Sequence, residues 1–195
     1  MQIAPVTQAD LPALYQLFTT AAPDRPDAEA TGFLRSQYNL ETFWAFLKDR
    51  QAYVAQQQGT ALGFVVIARP TPEQMGPVHW FARPPQRPAG AGQVAWWDEQ
   101  LCWIKMVAVL PTAKRQGVAT ALYRYLFALQ PQSAFITGLY EAPLNNRASA
   151  AFHLALGFAR IGVIDWMREG AVVDEAARRL TGIYYRPPEH KGANT

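Results

Sequence analysis

A single cysteine, Cys102, stands in the 195 residues, so neither an internal disulfide nor a cysteine-built metal site can form. Within LCWIKMVAVL it reads as a small buried hydrophobe in a strand. Charge is also scarce, at 17% of residues against about 25% in typical soluble chains. Eighteen Lys and Arg oppose fifteen Asp and Glu, a net of +3. That excess is too small and scattered for a nucleic-acid footprint, although it suits an anionic small ligand. No apolar run approaches the roughly 18 residues that cross a bilayer. The opening MQIAPVTQADLPALYQLF is interrupted by Asp10 and has no basic leader, so neither a signal peptide nor a membrane segment is expected, and the location is expected to be cytoplasmic.

Apolar residues, by contrast, make up 50% of the chain and aromatic residues 12%. Such a chain can bury enough surface to offset its ordering entropy, and the length implies one domain, 1–195, with room for an insertion. Gln2–Thr7 is strand-like, and Thr7 or Asp10 can cap a helix carrying Leu11, Leu14, Leu17 and Phe18. Ala21–Glu29 reads as a loop and Glu41–Arg50 as a helix. Ala52–Gln56 and Ala61–Arg69 form a hairpin around Gly59. Pro70–Gln100 is rich in proline yet holds Trp80, Trp96 and Trp97, so an ordered insertion, a lid or a contact loop is expected there. Leu101–Leu110 is a strand, followed by a helix with Val118, Leu122, Tyr125, Leu126 and Leu129 at helical spacing. The strand Phe135–Tyr140 leads to a helix over Asn146–Leu156, closed by Gly157. Phe158–Met167 and Thr181–Arg186 are the last strands, and 187–195 a frayed tail.

The stretch from Val107 to Thr120 carries the clearest chemistry. A strand enters a short basic turn, with Lys114 and Arg115, that opens a helix at Gly117. The first N–H groups of a helix lack internal partners and lie at its positive end, so they bind phosphate. Gly117 and the small Ala119 let a pyrophosphate approach the backbone. No Walker loop occurs. Gly90-Ala-Gly-Gln-Val-Ala95 matches a dinucleotide fingerprint by letters only, because it follows RPPQRP rather than a strand.

Lys114–Ala119 resembles the [QR]-x-x-G-x-[GA] signature of the GCN5-related N-acetyltransferases, after a V-A-V-x-P strand. Asn146-Arg-Ala-Ser149, Phe152-His153 and Leu156-Gly157-Phe158 are similar to that family's second signature, in the Asn-x-x-Ser-x-x-Phe-His form of a bacterial subgroup. The resemblance implies an α/β (α+β) fold: a mixed, mostly antiparallel central sheet flanked by helices, with the 70–100 insertion between the third and fourth strands. It also implies an acetyltransferase enzyme that moves an acetyl group from acetyl-CoA, its co-substrate, to an amine of a small molecule or peptide by direct attack in a ternary complex. No metal, nucleic acid or membrane partner is implied, and the chain would be a monomer or homodimer. A non-catalytic CoA or acyl-CoA binder on the same fold is the alternative.

In the residues of this chain, the resemblance lays the pantetheine arm along Val107, Ala108 and Val109. The pyrophosphate falls on the N–H groups of Arg115, Gln116, Gly117, Val118 and Ala119, with Thr120 and Lys114 also cofactor-binding candidates and Lys114 standing where the family has Gln or Arg. Asn146, Ser149 and His153 recur at three and four, a polar stripe beside the apolar Ala148, Ala151, Phe152 and Ala155. Asn146 and Ser149 are candidates for the cofactor, with helix capping as the other reading of both. His153, at the family's usual tyrosine position, is the candidate acid for the departing thiolate, as an imidazolium near neutral pH, or else a structural histidine. Glu141 is the candidate base, ahead of Asp98 and Glu99. The acceptor would lie between Ala21–Gln37 and the loop after Trp166, whose walls mix Asp24, Asp27 and Glu29 with Arg25, Arg35 and Arg168.

Overall fold

A computed structural model describes residues 1–21, 27–34, 38–71, 78–80, 101–165 and 180–188. Asp98, Glu99, Trp96, Trp97, most of the acceptor walls and the tail beyond 188 lie outside the described residues. The chain divides into two compact units, Met1–Ala28, Phe33–Ala68 and Ile104–Pro131 in the first, and Glu29–Gly32, Arg69–Trp103 and Gln132–Thr195 in the second.

In the first unit the strands are β1 (Gln2–Pro5), β2 (Gln51–Gln57), β3 (Thr60–Ala68) and the later part of β5 (Leu101–Val109), in that order. β1/β2 and β2/β3 are antiparallel, with Val54 opposite Phe64 and Ala55 opposite Gly63. The hairpin turns on Gln58 and Gly59, at φ 50° and 76°. Both central residues therefore hold the left-handed conformation that matches strand twist.

Helices α1 (Leu11–Thr20) and α3 (Leu40–Lys48) cover one face. Thr7 caps a 3-10 turn that leads into α1, in a capping box with Asp10. Asn39 caps α3 through Thr42 N–H at 2.8 Å. Phe43 is fully buried, stacked on Phe18 at 5.0 Å and edge-on to Phe64 at 5.9 Å.

Helix α4 (Val118–Leu129) buries Val118, Leu122, Tyr123, Leu126 and Phe127. The expected stripe is thus rotated. Leu129 is 48% exposed, and Tyr125 is half-buried against the Tyr53 ring. Gly63 sits beneath this helix, where a Cβ would stand 2.8 Å from the Ala108 carbonyl and 3.0 Å from Val118. Gly63→Val is expected to cost about 1–3 kcal/mol through overpacking, measured by urea unfolding.

The second unit holds β6 (Ala134–Ala142), β8 (Leu180–Arg186), β7 (Ala159–Asp165) and β4 (Val78–Trp80), in that order, with the start of β5 beside β6. All three pairings among these four are antiparallel. Leu101, Ile136, Ile161, Ile164 and Ile183 form the core. β4 lies inside the 70–100 stretch, where the sequence showed no strand. Three residues are too few to display an alternation. A second short element, α2 (Ala28–Thr31), begins within the expected loop. Helix α5 (Arg147–Ala155) ends at Gly157, φ 82°, where the Arg186 guanidinium donates to the Leu156 carbonyl at 3.0 Å. No helix among the described residues is long and apolar enough to cross a membrane.

Candidate functional site

The loop after β5 is a 3-10 turn, Pro111–Ala113, followed by extended Lys114 and then left-handed Arg115 (φ 65°) and Gly117 (φ 82°). Gln116 braces it by donating to the Thr112 carbonyl at 2.7 Å. The first helical bond of α4 runs from Ala121 N–H to Gly117 O at 2.9 Å. The N–H groups of Val118, Ala119 and Thr120 therefore precede the helical ladder. Alternate left-handed residues before a helix start curl backbone N–H groups into an anion-binding nest. Nothing lies within 4 Å of where a Gly117 Cβ would stand, and Arg115, Gln116 and Gly117 are exposed. This opening, on the positive end of a helix, fits a pyrophosphate.

Of the three strand residues before the loop, Ala108 is buried and its carbonyl approaches Gly63. Leu110 N–H also points to β3, bonding the Leu62 carbonyl at 2.8 Å. Backbone polarity alternates along a strand, so the polar groups of Val107 and Val109 face away from β3. Of the three residues expected to meet pantetheine, Ala108 thus turns its polar groups toward β3, and Val107 and Val109 turn theirs away from it.

The remaining candidates lie in the second unit. Asn146 is buried and caps α5, its Oδ1 accepting from Ser149 N–H at 3.3 Å. Its own N–H donates to the Tyr140 carbonyl at 2.9 Å. Glu29, two residues into α2, accepts from Asn145 N–H at 2.7 Å and pairs with Arg147 at 3.6 Å. Sequence reading placed Glu29 in an acceptor wall and missed this bracing, because a partner 116 residues away leaves no local signal.

His153 is 1% exposed, the one buried residue of α5. The polar stripe thus turns inward at His153 while Ala151 and Ala155 are exposed, the reverse of the expected amphipathic arrangement. The ring stands edge-on to Phe152 and Phe158 at 5.4 and 5.1 Å, with Nδ1 2.7 Å from the Ser149 carbonyl and 3.4 Å from its Oγ. Because a carbonyl only accepts, Nδ1 carries the proton. Burial lowers the pKa to about 4, against a smaller opposing pull from the Ser149 bond. An imidazolium near neutral pH, as expected from sequence, does not suit these surroundings: the ring is neutral there.

Glu141 does not stand disengaged as a base would. Arg160 Nε and NH2 donate to its two oxygens, each at 2.6 Å, and Tyr184 OH lies 3.5 Å from Oε1. The hydrogen bonds that Arg160 donates to Glu141 raise the Arg160 pKa, and burial, with the Glu141 charge, raises that of Tyr184. The pair passes over Gly182, where a Cβ would fall 2.6 Å from the Glu141 carboxyl carbon. A bidentate guanidinium fixes a carboxylate in place.

No curated protein matches the chain. Among solved structures it is similar to the ribosomal-protein-alanine N-acetyltransferase of Brucella melitensis, at 18% identity and TM-score 0.63, over 96% of this chain and 99% of that one. The ribosomal-protein-S18-alanine N-acetyltransferase of Escherichia coli matches at 18% and 0.60, over 100% and 97%. A GCN5-related N-acetyltransferase of Kribbella flavida matches at 17% and 0.59, over 95% and 96%. At such identities the likeness is one of fold, and that fold is the mixed, mostly antiparallel sheet with flanking helices. The sequence model of the Acetyltransferase (GNAT) family matches residues 11–158, well over half the chain, and the chain belongs to that family.

Proposed function

We propose that this acyltransferase uses acetyl-CoA to acetylate an amine of a peptide or small molecule in the cytoplasm, with the pyrophosphate held by the loop Lys114–Thr120. The observation that carries this reading is the pair of left-handed residues, Arg115 and Gly117, opening the N-terminus of α4. Lys114 and Arg115 add positive charge at the same place. Backbone groups of Val107 and Val109 align the thioester arm, and an N–H there meets the oxyanion that forms when the amine attacks the carbonyl.

With His153 neutral and Glu141 clamped, the chain contributes chiefly by alignment. The amine is delivered in its uncharged form and its proton passes to water. The leaving thiolate has an ordinary thiol pKa near ~8.5, so little acid help is required. His153 and Asn146 shape α5, and Glu141 fixes β6 to β7.

The test joins calorimetry with acetyl-CoA to thiol release over a panel of amines, including a peptide that begins with alanine, since two structural neighbours are named for ribosomal-protein alanine. Saturable binding with amine-dependent thiol release is expected. Absence of binding at high micromolar acetyl-CoA overturns the reading. Binding without release on any amine favours a CoA-binding module, the role to which the engaged Glu141 and neutral His153 would equally lend themselves.

A further inference from the structure

We propose that a cleft in the first unit, beside the C-terminal end of α3, binds small carboxylates carrying an apolar or aromatic body. The cleft is half open to solvent and offers about 400 Å³, a volume within the range of small-molecule sites. Pro5, Val6, Trp44 and Leu47 supply an apolar wall, and Lys48 and Arg50 supply cations. None of its lining residues belongs to the loop Lys114–Thr120, so the proposal stands apart from the acetyl-CoA reading.

The local sequence explains this pairing of surfaces. Helix α3 presents Phe43 and Leu47 to the core and Trp44 half-buried to one side. It stops at Lys48, and the chain must re-enter the sheet at Gln51, which leaves Arg50 at the corner. There the Arg50 guanidinium donates to the Phe46 carbonyl at 2.6 Å and lies 4.3 Å above the Phe46 ring. These contacts fix its position but use few of the five N–H groups that an arginine offers.

The electrostatics point to an anion. Asp49 separates the two cations in sequence, yet no described carboxylate pairs with Lys48 or Arg50. Lys105, half-buried on β5, is lowered to about 8 by burial and, secondarily, by the charge of Arg50. The Arg50 charge is thus felt by a cationic neighbour, and an anion held beside Arg50 in the cleft would offset it. A bare inorganic anion leaves the Trp44, Pro5 and Val6 wall uncovered, whereas an apolar body on the carboxylate fills it.

Calorimetry on the full chain with phenylacetate, 2-phenylethanol and inorganic phosphate tests the proposal. Phenylacetate is expected to bind saturably, and phenylethanol and phosphate at least about tenfold more weakly, since each lacks one half of the recognition. Arg50→Gln should weaken phenylacetate about tenfold. Because Arg50 also holds the end of α3, Lys48→Gln at an exposed position is measured beside it, with thermal melts on both, and the same direction is expected. Saturating acetyl-CoA should leave phenylacetate affinity unchanged. The proposal is overturned by no saturable binding, by equal binding of phenylethanol, by displacement with acetyl-CoA, or by unchanged affinity in both variants.

Discussion

Gly117→Glu is expected to weaken acetyl-CoA binding by at least about a hundredfold while the chain remains folded. At φ 82° the residue is left-handed, so any side chain there costs about 1–2 kcal/mol. Space is not the obstacle, because no atom lies within 4 Å of the Cβ position. On the proposed loop assignment, what a glutamate would meet is a ligand phosphate. Two like charges about 4 Å apart at an effective dielectric near 20 repel by about 4 kcal/mol, enough for two to three decades in affinity. Gly59 provides the control. It has φ 76°, equally open surroundings and a place in the β2–β3 turn. Gly59→Glu should show a similar loss of melting temperature with unchanged acetyl-CoA affinity. A folded Gly117→Glu protein that binds acetyl-CoA as tightly as the parent would rule out the loop assignment.

Stability should fall by about 3 kcal/mol as pH drops from 6.5 to 4 on account of His153 alone. Its pKa is about 4 in the fold and near the ordinary 6.5 when unfolded. Within that window the unfolded chain binds a proton that the folded chain does not, so acid favours unfolding, by about 1.4 kcal/mol for each pH unit. Above pH 6.5 both states are neutral at this site and the dependence vanishes. His153→Phe keeps a ring between Phe152 and Phe158 but removes the titration. The stability gap between parent and variant should therefore narrow as pH falls through the window, read by urea unfolding at each pH. A gap independent of pH would mean that His153 titrates normally in the fold. The same neutrality predicts no inflection near pH 6.5 in turnover attributable to this ring, a point that the variant's pH–rate profile checks.

Much of this was legible in the sequence where geometry forces a residue type. Gly59, Gly117 and Gly157 each take a positive φ, and the turn, helix start and helix end drawn from them stand where expected. The loop proposed above for the pyrophosphate is marked out by the same Gly117. The direction of α5 could not. Its small alanines offer little driving force for burial, and two aromatic rings and a backbone carbonyl take in an imidazole instead. Nor could the Glu141–Arg160 pair be read. It joins β6 to β7 across β8, and it exists only because the intervening residue is Gly182, contributed from farther along the chain. Contacts that depend on a third strand carry no signature in the two segments they connect.

The lone thiol has a practical consequence. Cys102 is 7% exposed, and burial raises its pKa against smaller opposing pulls from Ser133 and Arg69. Reagents that trap a thiolate should react slowly with the folded chain. A colour assay for released CoA would then start from a flat baseline, and slow labelling at this one position would time the opening of β5. An extrinsic probe could be attached at an introduced surface cysteine without first removing the native one.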